Sequence, residues 1–169
     1  MKYILAFSFF VLLILSCQEQ KEYSSIDPVN WEKRTIVPSG RDSMIVGSTY
    51  LSVYSQIYSQ TEHVTHDLTA TVSMRNFNRK DTVYLTSAQY FDTKGNLIRT
   101  YFNRAIFIAP METIEIVIDE NDKEGGTGAN FLFDWTTAYG IHEPHFEAVM
   151  ISTSGQQGLS FASQGIRVD

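Results

Sequence analysis

Residues 68–75 read Leu-Thr-Ala-Thr-Val-Ser-Met-Arg, with an apolar side chain at every even position and a polar one at every odd position. Successive side chains of a β-strand point to opposite faces of the sheet. The alternation therefore predicts a strand with one face in a core and the other in water. It sets the fold class, because outside the apolar N-terminus no stretch of a dozen residues carries a convincing helical period.

The same period of two recurs along the chain. Three further runs place apolar residues at alternate positions: Ile114, Ile116 and Ile118; Phe131, Phe133 and Trp135; and Phe146, Ala148 and Met150. Segments 50–58, 82–91, 97–102, 105–109 and 159–162 are rich in the β-branched and aromatic residues that strands favour.

Turn residues separate these runs. Residues 92–96 predict a hairpin turn with Gly95 or Asn96 at positive φ, residues 76–81 predict a second turn, and Pro110 ends the run before it. We therefore predict one all-β domain over residues 49–169, an immunoglobulin/fibronectin-like antiparallel β-sandwich of about 7–9 strands.

The N-terminus has the features of an export signal. Lys2 precedes an apolar run from Tyr3 to Leu15 that is too short to span a bilayer. The run ends at Ser16-Cys17, which resembles the lipobox of bacterial lipoproteins. The resemblance implies that residues 1–16 are a signal peptide, removed after Cys17 has been lipid-modified. The alternative is an ordinary signal peptide followed by an incidental thiol. Residues 17–48, interrupted by Ser, Pro and Gly, are interpreted as the lipidated cysteine and a tether. Trp31 and other apolar residues favour part of this stretch lying along the domain as an edge strand.

Composition narrows the classes of partner and fold. The net charge is −6 and basic residues do not cluster, which argues against binding to nucleic acid. The single cysteine cannot form an internal disulfide, so the domain must be stabilised by its core.

Six segments, in order, resemble the blocks of a bacterial family known as a domain of unknown function in small exported proteins: 53–58, 68–76, 90–95, 125–131, 147–151 and 157–161. The resemblance covers about residues 50–165 and implies one domain that ends near the C-terminus. It implies no activity, and the four histidines are not part of the pattern.

The densest acidic stretch is residues 119–124. Asp119, Asp122 and Glu124 are candidate calcium ligands, because calcium prefers several carboxylate and carbonyl oxygens. The spacing fails as an EF-hand, since Phe131 stands where the bidentate glutamate belongs, and a solvated loop between strands is the favoured interpretation. The glycines at 125–128 are interpreted as a turn rather than a phosphate-binding loop, because no helix and no Lys-Ser/Thr pair follows them.

The four histidines form two pairs, His63 with His66 and His142 with His145. Imidazoles from two loops could bind zinc or copper. Residues three apart on a strand point to opposite faces, however, so exposed loop histidines are the expected state.

Three functional classes stay open: a non-catalytic binding module of the cell envelope with a protein or glycan partner, a metal-binding lipoprotein, and an enzyme of unrecognised type. No nucleophile motif is recognisable, so we predict no catalytic residues and no cofactor. The membrane is the predicted partner through the lipid anchor. Gln18 stands where many lipoproteins retained at the inner membrane carry aspartate, so the outer membrane is the expected location.

Overall fold

The computed structural model describes residues 29–38, 44–153 and 158–169. The predicted signal peptide, Cys17 and the first part of the predicted tether lie outside the described residues. The strands are β1 (Met44–Val53), β2 (Gln56–Ser59), β3 (Thr61–Asp67), β4 (Thr69–Arg75), β5 (Val83–Phe91), β6 (Leu97–Phe102), β7 (Ile106–Ile108), β8 (Thr113–Ile118), β9 (Ala129–Ala138), β10 (His145–Ser152), β11 (Leu159–Gln164) and β12 (Ile166–Arg167).

The strands form two antiparallel sheets and a hairpin. The first sheet has the order β12-β1-β9-β5-β6, with β7 also paired to β5. The second sheet has the order β11-β10-β4-β8, and β2 and β3 pair with each other. The prediction of an all-β sandwich is confirmed.

The core lies between the inner faces of the two sheets. The alternate residues that defined the predicted strands are all buried: Leu68, Ala70, Val72, Met74, Ile114, Ile116, Ile118, Phe131, Phe133, Trp135, Phe146, Ala148 and Met150. Phe133 stacks on Phe146 across the two sheets, with ring centroids 4.5 Å apart. Apolar burial is the dominant favourable term in folding, so these facing rows explain why the sheets pack against each other.

The described residues contain twelve strands, more than the seven to nine expected. The run at 50–58 divides at Ser55, whose backbone N–H donates to the carbonyl of Gly126 and whose hydroxyl meets that of Tyr90. The hairpin partner β3 and the two-residue β12 have almost no buried side chains, so the period-two pattern could not reveal them.

The ordered domain starts before residue 49, the predicted boundary. Strand β1 begins at Met44 and pairs with β9 along its whole length. Trp31 is buried, with its ring centroid 4.8 Å from that of Phe102, and Arg34 lies 2.7 Å from Glu112. Residues 31–35 therefore belong to the packed domain and not to a tether. The described residues contain no helix long and apolar enough to cross a membrane.

Candidate functional site

A pocket opens where the chain changes sheets. Strand β11 pairs with β10 in the second sheet, and after Gly165 the chain continues as β12 on β1 of the first sheet. The N–H of Gly165 donates to the carbonyl of Phe146, and a Cβ at this glycine would lie 2.7 Å from Thr49 Cγ2. Only glycine allows the two sheets to approach so closely here.

We call this cavity of about 400 Å³ the strand-switch pocket. Its functional groups are contributed by Thr49, Phe77, His142, Glu143, His145 and Arg167, and it has the size of a small-molecule site.

The floor of the pocket holds a nearly buried hydroxyl group. Thr49 Oγ1 accepts a 2.9 Å hydrogen bond from the indole N–H of Trp135, and Thr49 is 6% exposed. No further hydrogen bond of this hydroxyl occurs within the described part of the chain. Its proton is therefore available to a ligand in the pocket.

One wall is an ion pair stacked on an aromatic ring. The Arg167 guanidinium lies 5.0 Å from the centroid of Trp135 and hydrogen-bonds to the carboxylates of Glu143 and Asp169. Two carboxylates thus offset the positive charge, so the wall offers polar edges rather than a net positive charge.

The opposite wall is an aromatic pair. The rings of Phe77 and His142 have centroids 5.1 Å apart, and Phe77 is 49% exposed. Asn78 fixes this arrangement, because its side chain accepts from the backbone N–H of His142 and donates to its carbonyl, at 3.0 and 2.9 Å. The aromatic wall is thereby tied to the rest of the fold.

Asn76 in turn holds Asn78. Its Oδ1 accepts from the backbone and side-chain nitrogens of Asn78, both at 2.9 Å. Its Nδ2 donates to the carbonyls of Asp81, Ile108 and Ala109, at 2.7, 3.0 and 3.1 Å. The side chains of two asparagines therefore connect the loops after β4, β7 and β9 at the pocket end of the sandwich.

The two histidine pairs lie at opposite ends of the domain. His142 and His145 both line the pocket, whereas His63 and His66 lie on β3. Val53, the last residue of β1, pairs with Ala129, and the chain then enters β2 and β3. Met44, the first residue of β1, pairs with Ala138, and the chain reaches His142 shortly after Ala138. The ten residues of β1 separate these ends by about 30 Å. The structure does not bring the four imidazoles together.

Within the described residues no group of three or more His, Cys, Asp and Glu side chains is arranged to hold a metal ion. His145 Nε2 lies 3.8 Å from Glu147, a carboxylate that also accepts from Arg75.

The acidic loop holds an arginine instead. Arg99 on β6 lies 3.1 Å from Asp122 and 3.0 Å from Glu124, while Asp119 accepts from the backbone and side chain of Asn121. A calcium ion bound by Asp122 and Glu124 would have to displace the guanidinium. Gly126 has φ 68°, and the carbonyl of Gly125 accepts from the Thr93 hydroxyl, so the prediction of a glycine turn is confirmed.

Next to this loop lie the buried Tyr90 and the half-buried Tyr101. The Tyr90 hydroxyl lies 2.9 Å from that of Ser55, and Tyr101 accepts from Arg99. Burial raises the pKa of both Tyr90 and Tyr101 above the ordinary value. Both phenols therefore stay protonated in the folded domain where an exposed tyrosine would ionise.

This shift predicts alkaline destabilisation. Unfolded tyrosines ionise near pH 10 while the folded ones stay neutral. Their contribution to the free energy of unfolding is therefore fully present below about pH 10 and is lost as the pH rises. Above that pH, each such tyrosine lowers the free energy of unfolding by about 1.4 kcal/mol per pH unit. Tyr90→Phe should remove the contribution of one tyrosine to this pH dependence. Urea unfolding followed from about pH 8 to 11 measures it. Tyr139→Phe, at an 85% exposed position, should leave the slope unchanged. A wild-type slope in Tyr90→Phe would contradict this account.

Comparison with known proteins identifies the domain. Residues 46–168 match the profile of the family described as "Protein of unknown function (DUF3124)". The chain belongs to this family. The match agrees with the resemblance seen in the sequence over about residues 50–165, and it includes every strand from β2 to β12.

No curated protein matches the chain at a significant level. Among solved structures, the crystal structure of Thermotoga maritima 1070 superposes with a TM-score of 0.46 and 7% identity, over 71% of this chain and 92% of that one.

Sequence reasoning missed several residues that shape the site of this DUF3124 domain. Phe77 was assigned to a turn, and Thr49 and Arg167 carried no motif. An aromatic residue between two asparagines in a predicted turn was the available signal for Phe77, because a turn gives such a ring little to pack against. Arg99 offered no such signal, since its partners lie 23 and 25 residues away.

Proposed function

We propose that this chain is a lipid-anchored, non-catalytic binding module of the bacterial cell envelope. The observation that carries the proposal is the position of the sole cysteine, directly after a 13-residue apolar run and one small residue. Two or three acyl chains on Cys17 would anchor the protein stably, whereas one chain anchors only marginally.

The described domain supports the binding part of the proposal. The strand-switch pocket is concave, its loops are held by Asn76 and Asn78, and an aromatic ring stands half exposed at its wall. Concave sites with a few convergent polar groups are where small ligands bind. Residues 18–28 would act as the spacer between lipid and domain, with a maximal reach of about 40 Å.

The test of anchoring compares the full chain with Cys17→Ser in a bacterial host. Labelling with an alkyne-tagged fatty acid should mark the wild type, which should partition into the detergent phase and sediment with outer membranes. Cys17→Ser should carry no fatty-acid label and, because residues 1–16 are removed only after Cys17 has been modified, should keep the length of the unprocessed chain. Ser16→Ala keeps a small residue before the cysteine and should behave like the wild type.

Either of two results would overturn the anchoring proposal. One is a wild-type chain that is exported and processed but carries no fatty acid. The other is a Cys17→Ser variant that keeps both the label and the detergent partitioning.

A further inference from the structure

The strand-switch pocket has the chemistry of a carbohydrate site, and we propose that it binds a neutral saccharide. This inference rests on the proposed binding function and names its ligand class. Three properties of the pocket carry it: the pairing of its charged groups, the two-way hydrogen bonding of its polar groups, and its exposed aromatic wall.

The charged groups Arg167 and Glu143 of the pocket are already paired with each other. Arg167 hydrogen-bonds to Glu143 and Asp169, so an anionic ligand would have to compete with two carboxylates for one guanidinium. A cationic ligand would in turn have to compete with Arg167 for Glu143. A neutral ligand breaks neither of these ion pairs, so the pocket favours an uncharged ligand.

The remaining polar groups can serve as both donors and acceptors. The Thr49 hydroxyl offers a proton from the floor, the Glu143 carboxylate has a second oxygen beyond the one bonded to Arg167, and His142 and His145 present imidazole nitrogens. A neutral imidazole has one donor and one acceptor nitrogen. Sugar hydroxyls also donate and accept, so such a set matches a polyhydroxylated ligand better than a carboxylate or an ammonium group.

The exposed aromatic wall supplies the apolar contact. Phe77 is 49% exposed at the rim, and His142 packs against it with an interplanar angle of 32°. A half-exposed aromatic ring beside these polar groups offers one apolar face to a ligand. A pyranose ring has one face of C–H groups and a rim of hydroxyls, and it could stack on Phe77 while its hydroxyls reach the polar groups.

The experiment uses the full-length lipidated chain in detergent micelles, with chitotetraose and maltotetraose as neutral probes. Binding is followed by the fluorescence of tryptophan, because Trp135 lies beneath both Thr49 and Arg167. We expect saturable binding of at least one probe with a dissociation constant of about 1 mM or below, little changed by added salt.

Two variants localise the binding. Phe77→Ala should weaken it about tenfold, the loss expected for one aromatic contact. Tyr139→Ala removes an aromatic side chain that is 85% exposed on the neighbouring loop, and it should bind like the wild type.

The outcomes distinguish failure of the saccharide proposal from failure of the lipid-anchoring proposal. A chain that partitions into detergent but binds neither tetrasaccharide overturns the saccharide proposal and leaves anchoring intact. Equal weakening by Phe77→Ala and Tyr139→Ala, or binding that added salt abolishes, also overturns it. Loss of the fatty-acid label in Cys17→Ser with unchanged saccharide binding supports both proposals.

Discussion

Replacing Arg99 by methionine is expected to lower the free energy of unfolding by about 3–5 kcal/mol. The Asp122 side chain is 2% exposed and the Arg99 side chain 17% exposed, so the pair is largely shielded from water. Methionine keeps most of the length of the arginine stem but leaves the Asp122 carboxylate buried without its cation. This is costly because the ion pair no longer offsets the desolvation of the Asp122 carboxylate, and a 3.3 Å hydrogen bond from the backbone N–H of Glu124 offsets only part of it.

Glu124→Gln is the matched control for Arg99→Met. Glu124 pairs with the same guanidinium, but its side chain is 62% exposed. An exposed pair contributes little, so we expect a loss below about 1 kcal/mol. The double variant Arg99→Met/Asp122→Leu should recover part of the loss, because it removes the stranded charge. Urea unfolding at pH 7 measures all three, and equal losses in Arg99→Met and Glu124→Gln would refute this view of the pair.

The inward faces of the strands could be predicted because they depend on local periodicity. Every alternate apolar residue from Leu68 to Met74 is buried, and the predicted strand at 97–102 has the bounds of β6. The pattern is weaker in β5, where a register shift between Leu85 and Ser87 interrupts the alternation. Two sheets with one apolar face each must pack together, and the sandwich follows from that requirement.

Elements that depend on distant contacts could not be predicted. The apolar residues around Trp31 favour packing along the domain, but no local pattern relates Trp31 to its contact Phe102, 71 residues later. Strand β3 is mostly exposed on both faces, so its hydrophobicity does not alternate. Salt bridges such as that of Arg99 on β6 with Asp122 in the loop before β9 join segments whose neighbourhood is set by the topology and not by sequence spacing.

In the candidate site, too, the sequence pattern predicts single residues but not the contacts between distant ones. The sequence identified the histidines as chemically interesting, and the structure brings His142 and His145 into one pocket with Arg167 and Thr49. No local pattern relates these residues, because the pocket is created by the change of sheet at Gly165. The acidic loop illustrates the reverse case, in which a suggestive motif has Arg99 as its counter-ion.

Asn76 determines whether the pocket loops keep their positions, and Asn76→Asp is expected to cost about 3 kcal/mol or more at pH 7. The substitution is nearly isosteric and keeps an oxygen for Asn78 to donate to. It replaces the Nδ2 donor with an oxygen that faces the carbonyls of Asp81, Ile108 and Ala109. At 2% exposure this side chain has little access to compensating water.

The loss should depend on pH in a defined direction. Burial and the facing carbonyls favour the protonated form, so the pKa of the new carboxyl should rise above its unfolded value near 4. A group whose pKa is raised on folding contributes most below its unfolded pKa and loses that contribution as the pH rises through its folded pKa. The deficit of Asn76→Asp relative to the wild type should therefore be smallest near pH 4 and grow toward pH 7.

Asn121→Asp provides the control, because Asn121 is exposed and its amide contacts only the neighbouring Asp119. We expect it to change stability by less than about 1 kcal/mol at pH 7. Urea unfolding of both variants from about pH 4 to 7 gives the comparison. A deficit of Asn76→Asp that is the same at both ends of this range would show that the carboxyl reaches water, and the asparagine network would then not be what fixes the aromatic wall of the pocket.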